Sequence, residues 1–77
     1  TTTIKYAISE PADVTIVIYN IKGEKVKTLV RERKEPSYYQ TIWNGKDDTG
    51  KTVSSGVYFY QTKIGDYNSY NKMLLMK

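Results

Sequence analysis

The chain has 77 residues, 39% of them hydrophobic, and a formal net charge of +4 from 12 Lys and Arg against 8 Asp and Glu. It contains neither cysteine nor histidine, which excludes disulfides and thiolate metal sites and removes the commonest general base. A chain of this length has room for one hydrophobic core, so we predict a single domain over residues 1–77.

The distribution of charge and hydrophobicity excludes two further classes. Basic residues are spread along the chain instead of clustering with exposed aromatic residues, so we expect no nucleic-acid binding. No apolar run approaches the ~20 residues of a membrane-spanning helix. The chain begins with three threonines and enters a strand-like pattern at once, so we expect no signal peptide. We therefore expect a fragment from the end of a longer protein.

The first two predicted strands alternate apolar side chains toward a common core. Residues 2–8 form the first strand, and Pro11 interrupts the pattern after it. Residues 14–19 are nearly all β-branched, which is typical of a strand that is buried on both faces or central in its sheet. The side chains that this alternation turns to the core are Ile4, Tyr6, Ile8, Val14, Ile16 and Ile18.

A hairpin and a charged segment are predicted next. A tight turn around Gly23 leads into a strand over residues 25–30, where Leu29 breaks the alternation and predicts a β-bulge near Thr28. Residues 31–36 are charged and contain a proline, so they are predicted to form a polar loop or at most a short helix.

The largest hydrophobe sets the orientation of the following strand. Residues 37–43 alternate, and we assign the face of Trp43 to the core, which leaves Ile42 exposed. Residues 44–55 are rich in turn-forming residues, with a short strand predicted at residues 51–53.

Two more strands complete the predicted fold. Gly56 opens a strand that continues to residue 64, and we assign both Gly56 and Tyr58 to the structural core. A Gly-Asp turn then leads to the last strand, residues 67–76. The fold class is all-β, an immunoglobulin-like antiparallel β-sandwich of about seven strands.

The loop after the tryptophan carries oxygen ligands of the kind that Ca²⁺ prefers. Asn44, Asp47 and Asp48 precede Gly50, but their spacing differs from that of a calcium loop, and two lysines bring positive charge nearby. We predict that these side chains cap the turn and hold no metal.

Tyrosine is common, with 8 in the chain. Aromatic faces on an exposed sheet could stack on sugar rings, and the candidates are Tyr38, Tyr58, Tyr60, Tyr67 and Tyr70. The interpretation that we favour is cross-strand pairing, with rings filling a small core and hydroxyls reaching water. The sequence offers no carboxylate pair placed for acid–base chemistry and no histidine to activate a serine, so we expect no enzymatic activity and no cofactor.

The last six residues are apolar residues between two lysines: Lys72, Met73, Leu74, Leu75, Met76 and Lys77. Met73 and Leu75 share one face of the strand, and Leu74 and Met76 share the other. Because both faces are apolar, we predict a strand that is covered on both sides. A terminal strand is also a place where another protein can add or exchange a strand.

Five stretches of the sequence occur in an order that belongs to a known family. They are Thr-Ile-Lys-Tyr at 3–6, Val-x-Ile-x-Ile-Tyr-Asn-x-x-Gly-x-x-Val-x-x-Leu-Val at 14–30, Trp-Asn-Gly-Lys-Asp-Asp-x-Gly at 43–50, Ser-Gly-Val-Tyr-Phe-Tyr at 55–60 and Lys-Met-x-Leu-x-Lys at 72–77. Over nearly its whole length the chain resembles the C-terminal sorting domain of type IX secretion cargo. That domain is closely similar to the immunoglobulin-like domain of the flagellar hook-capping protein. The chain departs from the family at Glu-Pro-Ser, residues 35–37, and lacks the usual Asn-Pro-rich lead-in.

The resemblance implies a noncatalytic module at the end of a larger secreted protein, often a hydrolase or an adhesin. Its implied partners are an outer-membrane receptor of the secretion system, a sortase-like protease and the upstream cargo domain. It also implies a secreted or cell-surface location, a monomer or weak dimer, and a sorting signal carried largely by residues 72–77. Two alternatives remain open. One is a carbohydrate-binding or spacer module of an extracellular hydrolase, and the other is a self-assembly domain like that of the hook-capping protein.

Overall fold

The computed structural model describes residues 1–76, which form six β-strands and no helix, so this range contains no helix able to cross a membrane. The strands are β1 (Thr2–Ile8), β2 (Ala12–Tyr19), β3 (Lys25–Lys34), β4 (Ser37–Trp43), β5 (Gly56–Ile64) and β6 (Tyr67–Leu75). β1 and β4 form a two-stranded sheet, and the other sheet has the order β3-β2-β5-β6. All pairs are antiparallel, which confirms the predicted all-β class.

The number of strands is six instead of about seven. Residues 51–53, predicted as a short strand, contribute only one isolated bridge, between Lys46 and Thr52. The loop is too rich in turn-forming residues to continue that pairing, so it closes on itself instead of adding a strand to either sheet.

The core lies between the two sheets and is centred on Trp43. This side chain has no exposed surface, and its ring meets that of Tyr58 edge-on, with centroids 5.0 Å apart and planes at 71°. Its indole Nε1 donates a hydrogen bond of 2.9 Å to the carbonyl oxygen of Lys46, which joins the core to the following loop. The other members of the buried cluster are Ile4, Ile8, Val14, Ile16, Ile18 and Leu75.

Two residues that were predicted to lie in the core, Tyr6 and Gly56, are only partly buried. Tyr6 is only partly buried and packs against the core from β1. Gly56 begins β5 with a φ of 151°, a conformation that residues with a Cβ rarely adopt, although open space surrounds it. Glycine is therefore suited to this position by the backbone and not by close packing.

β2 is central in its sheet, as predicted, and β3 contains the predicted irregularity. The register shifts between Ile16 and Val17, where Leu29 has no direct partner, and again near Tyr19. The predicted polar loop over residues 31–36 is wrong, because residues 31–34 continue β3 and pair with residues 12–15. This end of β3 is held by ladder hydrogen bonds and is largely exposed, so it needs no apolar side chains.

β6 lies at the edge of the four-stranded sheet and has only one buried face, so the prediction that it is covered on both sides is wrong. Met73 is half-buried and Leu75 is 2% exposed on the face toward the core. On the opposite face Leu74 is 59% exposed and Met76 is 74% exposed. Within residues 1–76 no second layer lies over that outer face. The alternation of the sequence is preserved, but only one apolar face is buried.

Candidate interaction surface

One edge of β6 carries a regular row of backbone groups without a partner strand. β6 pairs with β5 from Tyr67 to Leu75 without a register shift, and no strand within residues 1–76 pairs with its second edge. β3, at the opposite edge of this sheet, is interrupted by two register shifts and carries several charged side chains, features that obstruct edge pairing. β6 has no proline and one lysine, so the open edge of this sheet is β6.

The hairpin before β6 fixes which backbone groups point outward. Ile64 pairs with Tyr67 across a two-residue turn, and the φ of 58° at Gly65 is typical of a type II′ turn. The closing pair of such a hairpin is hydrogen-bonded, and bonding alternates along the strand. The backbone N–H and C=O groups of residues 68, 70, 72 and 74 therefore face the open edge.

Two of those even-numbered residues, Tyr70 and Leu74, belong to an apolar surface on the outer face of the sheet that we call the outer-face patch. Its members are Tyr19, Val57, Phe59, Tyr70 and Leu74. Tyr19 and Phe59 are direct partners across β2 and β5, and Val57 and Leu74 are partners across β5 and β6. Lys25 on β3 is opposite Tyr19, and Lys72 on β6 is opposite Phe59 and lies between Tyr70 and Leu74, so the patch has one cation beside it and one within it.

The residues predicted to carry a sorting signal are divided between two faces. Lys72, Leu74 and Met76 are exposed. Met73 and Leu75 point to the core, and Lys77 lies outside the described residues. The terminal segment therefore combines a buried anchor with an exposed face and an open edge.

The tyrosines predicted as a sugar-stacking surface do not form one platform. Tyr58 is buried and its hydroxyl donates a 2.8 Å hydrogen bond to the carbonyl oxygen of Ser54. Tyr38 is 90% exposed on β4 of the two-stranded sheet. The remaining three are divided between the inner face, with Tyr60 and Tyr67, and the outer-face patch, with Tyr70. Strand order, which periodicity does not encode, separates these rings.

A groove of about 700 Å³ lies beside β1, because two strands cannot cover the inner face of a four-stranded sheet. One wall is β1 from Ile4 to Ile8. The floor consists of alternate residues of β5 and β6, including Tyr60, Thr62 and Ser69. No sequence pattern indicated this groove, because its position depends on how many strands join each sheet.

The loop after β4 is held by hydrogen bonds to its own carboxylate. Asp47 Oδ1 accepts hydrogen bonds from the backbone N–H groups of Thr49, at 2.9 Å, and Lys51, at 3.0 Å, and from the Thr49 hydroxyl at 2.6 Å. Asp48 Oδ1 accepts from the backbone N–H of Thr28 at 3.2 Å, which connects the loop to β3. The capping predicted from the sequence is thus present at Asp47. Among the described residues, no group of three acidic, cysteine or histidine side chains could hold a metal.

The Asp47 contacts predict a specific response to acid. Its pKa is held below the ordinary value of 3.8, first by the Thr49 hydroxyl and then by the Lys51 N–H. The stabilisation from these contacts is present above the unfolded-state pKa and is lost as pH falls through the lower folded-state pKa. Asp47→Asn cannot titrate, so the difference in Tm between the two proteins should shrink between about pH 5 and about pH 2. Circular dichroism melting measures it, and a constant difference would contradict the prediction.

The mixed-charge cluster at the end of β3 packs beside two aromatic rings. Tyr6 and Tyr39 stack with centroids 5.5 Å apart, and Lys34 Nζ lies 4.8 Å from the Tyr39 ring. The hydrogen bond to Glu32, and after it the charge of that carboxylate, raise the pKa of Lys34, and burial raises the pKa of the Tyr6 hydroxyl. The Glu32 side chain is exposed, so the ion pair adds little to stability and this cluster is best explained as structural.

The two packed antiparallel sheets, with their aromatic core, define a small β-sandwich module of the immunoglobulin-like class. The family model described as the FlgD Ig-like domain matches residues 1–66. The chain therefore belongs to the FlgD Ig-like domain family, which confirms the immunoglobulin-like prediction. No curated protein and no solved structure gave a match.

The matched region ends at residue 66, and β6 begins at Tyr67. The family match therefore includes five of the strands and the turn of the last hairpin. The strand with the open edge and the exposed apolar face lies beyond it.

Proposed function

We propose that this chain is a noncatalytic C-terminal module that directs export and surface attachment of a secreted cargo protein through the type IX secretion system. The observation that carries the proposal is the arrangement of β6. This strand lies beyond the family-matched residues, is anchored through Leu75 and keeps its other face and edge accessible. Those are the properties expected of a recognition element supported by a folded scaffold.

In this proposal the sandwich works by presenting a strand and not by catalysis. An outer-membrane receptor contacts the exposed side chains of residues 72–76 and the backbone of the β6 edge. A sortase-like protease then acts on the cargo at the cell surface, and the cargo domain lies upstream in the same chain. The motif resemblance supports these partners and the secreted or cell-surface location.

The experiment that tests the proposal separates recognition from folding. Deleting residues 72–77 would remove Leu75 from the core, so a loss of export could reflect unfolding alone. The double variant Leu74→Ser/Met76→Ser changes only exposed side chains of the terminal segment. Its matched control, Tyr38→Ser/Ile42→Ser, changes exposed side chains of β4.

Each domain is fused to a reporter and expressed in a host with an active type IX system. An apolar side chain of this size contributes roughly 1.5–3 kcal/mol when fully buried at an interface. We therefore expect the terminal double variant to reduce export by about tenfold or more. The control should be exported normally, and both variants should melt near the parent temperature. Normal export of the terminal variant, or equal loss in the control, would overturn the proposal.

The family assignment favours self-assembly as a second candidate, since the name of the family refers to the hook-capping protein FlgD. The open edge of β6 offers a route for strand pairing between copies. Sedimentation velocity separates the candidates, because self-assembly predicts discrete oligomers, while a sorting module is expected to sediment as a monomer or weak dimer. The carbohydrate-binding alternative has less support, because its five tyrosines are divided among separate surfaces.

A further inference from the structure

The two sheets of the sandwich are unequal, and the difference leaves a strand-shaped space. β1 pairs with β4 along one edge, and within residues 1–76 no strand pairs with its other edge. Consecutive residues of β1, from Ile4 to Ile8, line the groove. Because side chains alternate between faces, a run of consecutive lining residues means that the strand meets the groove with its edge.

The floor of the groove is suited to an extended chain. It is formed by the inner faces of β5 and β6, where Tyr60, Thr62, Ser69 and Asn71 alternate with outward-facing residues. Thr62 is only 7% exposed, although it is polar. Side chains on the facing surfaces of two packed sheets interdigitate, so a strand added beside β1 would place its inner side chains on this floor. The five residues of the β1 wall correspond to about 17 Å of strand.

The charges at one end indicate the direction of an occupant. Glu10 and Asp66 line the groove at the end where β1 finishes. Within the described part of the chain neither carboxylate takes part in an ion pair. A strand antiparallel to β1 would place its N-terminal end there, so a basic residue at that end would complement the acidic pair.

We propose that this groove binds an extended polypeptide segment with a basic N-terminal residue, which pairs antiparallel with β1 and enlarges the small sheet to three strands. The recognition is β-augmentation, in which backbone hydrogen bonds supply affinity and alternate side chains contact the groove floor. A glycan could use the three tyrosines of the groove, Tyr6, Tyr60 and Tyr67, but not the row of backbone groups along β1. This inference does not rest on the proposed function, because the outer edge of β6 is not part of the groove.

The probe is a synthetic peptide, Lys-Val-Thr-Val-Thr-Val-Thr, with blocked ends. Two matched peptides carry N-methyl groups, one on every valine and the other on every threonine. In an extended strand only alternate N–H groups face the neighbouring strand. We expect the parent peptide to shift the amide resonances of residues 4–8 in an NMR titration. One methylated series should lose at least about tenfold in affinity, about 1.4 kcal/mol, and the other should retain binding. Equal effects of both series, or no binding by the parent peptide, would overturn the proposal.

Two neighbouring residues of β6 provide matched protein variants. Ser69→Tyr fills the groove, whereas Asn68→Tyr places the same side chain on the outer face. Peptide binding should be lost in the first variant and kept in the second, with both proteins folded by circular dichroism. The same titration with cellohexaose and laminarihexaose tests the sugar interpretation. Shifts at Tyr60 and Tyr67 with either sugar, at concentrations where the peptide gives none, would assign the groove to a glycan and refute the strand.

Discussion

Replacing Trp43 with alanine is expected to lower the free energy of unfolding by about 3–5 kcal/mol. The side chain is fully buried, contacts the Tyr58 ring edge-on and donates to the Lys46 carbonyl, so the substitution removes apolar contacts and leaves an acceptor without its donor. Small domains have total stabilities of roughly 5–15 kcal/mol, and a short chain lies toward the lower end. Urea denaturation followed by far-ultraviolet circular dichroism measures the change.

Ile42 provides the matched control, because it is the neighbouring residue of β4 and is 54% exposed. Ile42→Ala should change the unfolding free energy by no more than about 0.5 kcal/mol. Trp43→Phe should fall between the two, since it keeps an aromatic ring but loses the hydrogen bond to Lys46. If Trp43→Ala lowered the free energy of unfolding no more than Ile42→Ala does, the burial of Trp43 and its hydrogen bond to the loop between β4 and β5 would not stabilise the domain.

The strands that bury one face could be predicted from the sequence. β1 and β4 have the predicted bounds, and the faces of Trp43 and Ile42 are assigned correctly. The alternation is clear there because one face must leave water and the other must not. The bulge in β3 was also visible, since Leu29 breaks the alternation at the point where the register shifts.

The end of β3 could not be predicted in the same way. Arg31 to Arg33 are exposed, so their side chains carry no trace of the pairing that holds them. Edge strands are stabilised by their ladder hydrogen bonds, and charged residues there hinder unwanted pairing. Composition therefore indicated a loop where the backbone forms a strand.

The candidate surfaces depend on strand order, which the periodicity of one segment does not contain. The terminal strand was identified correctly, but its apolar outer face looked like a second buried face. Leu74 is exposed because β6 is an edge strand and no described element covers that side of the sheet. The groove beside β1 has the same origin, since it exists only because two strands lie over four.

Leu74 and Leu75 are adjacent residues of one type in opposite environments, 59% and 2% exposed. Leu75→Ala should lower the free energy of unfolding by about 2–5 kcal/mol, because it opens a cavity between the sheets. Leu74→Ala should change it by no more than about 0.5 kcal/mol. Paired urea titrations measure both values, and export of the matching reporter fusions can be compared with them.

If recognition uses the exposed face, Leu74→Ala will reduce export of a fully stable protein, while Leu75→Ala will lose export only as far as it loses folding. Equal losses of stability in the two variants would contradict the placement of β6. A loss of export confined to Leu75→Ala would mean that the secretion system requires the folded sandwich and not the surface of its last strand.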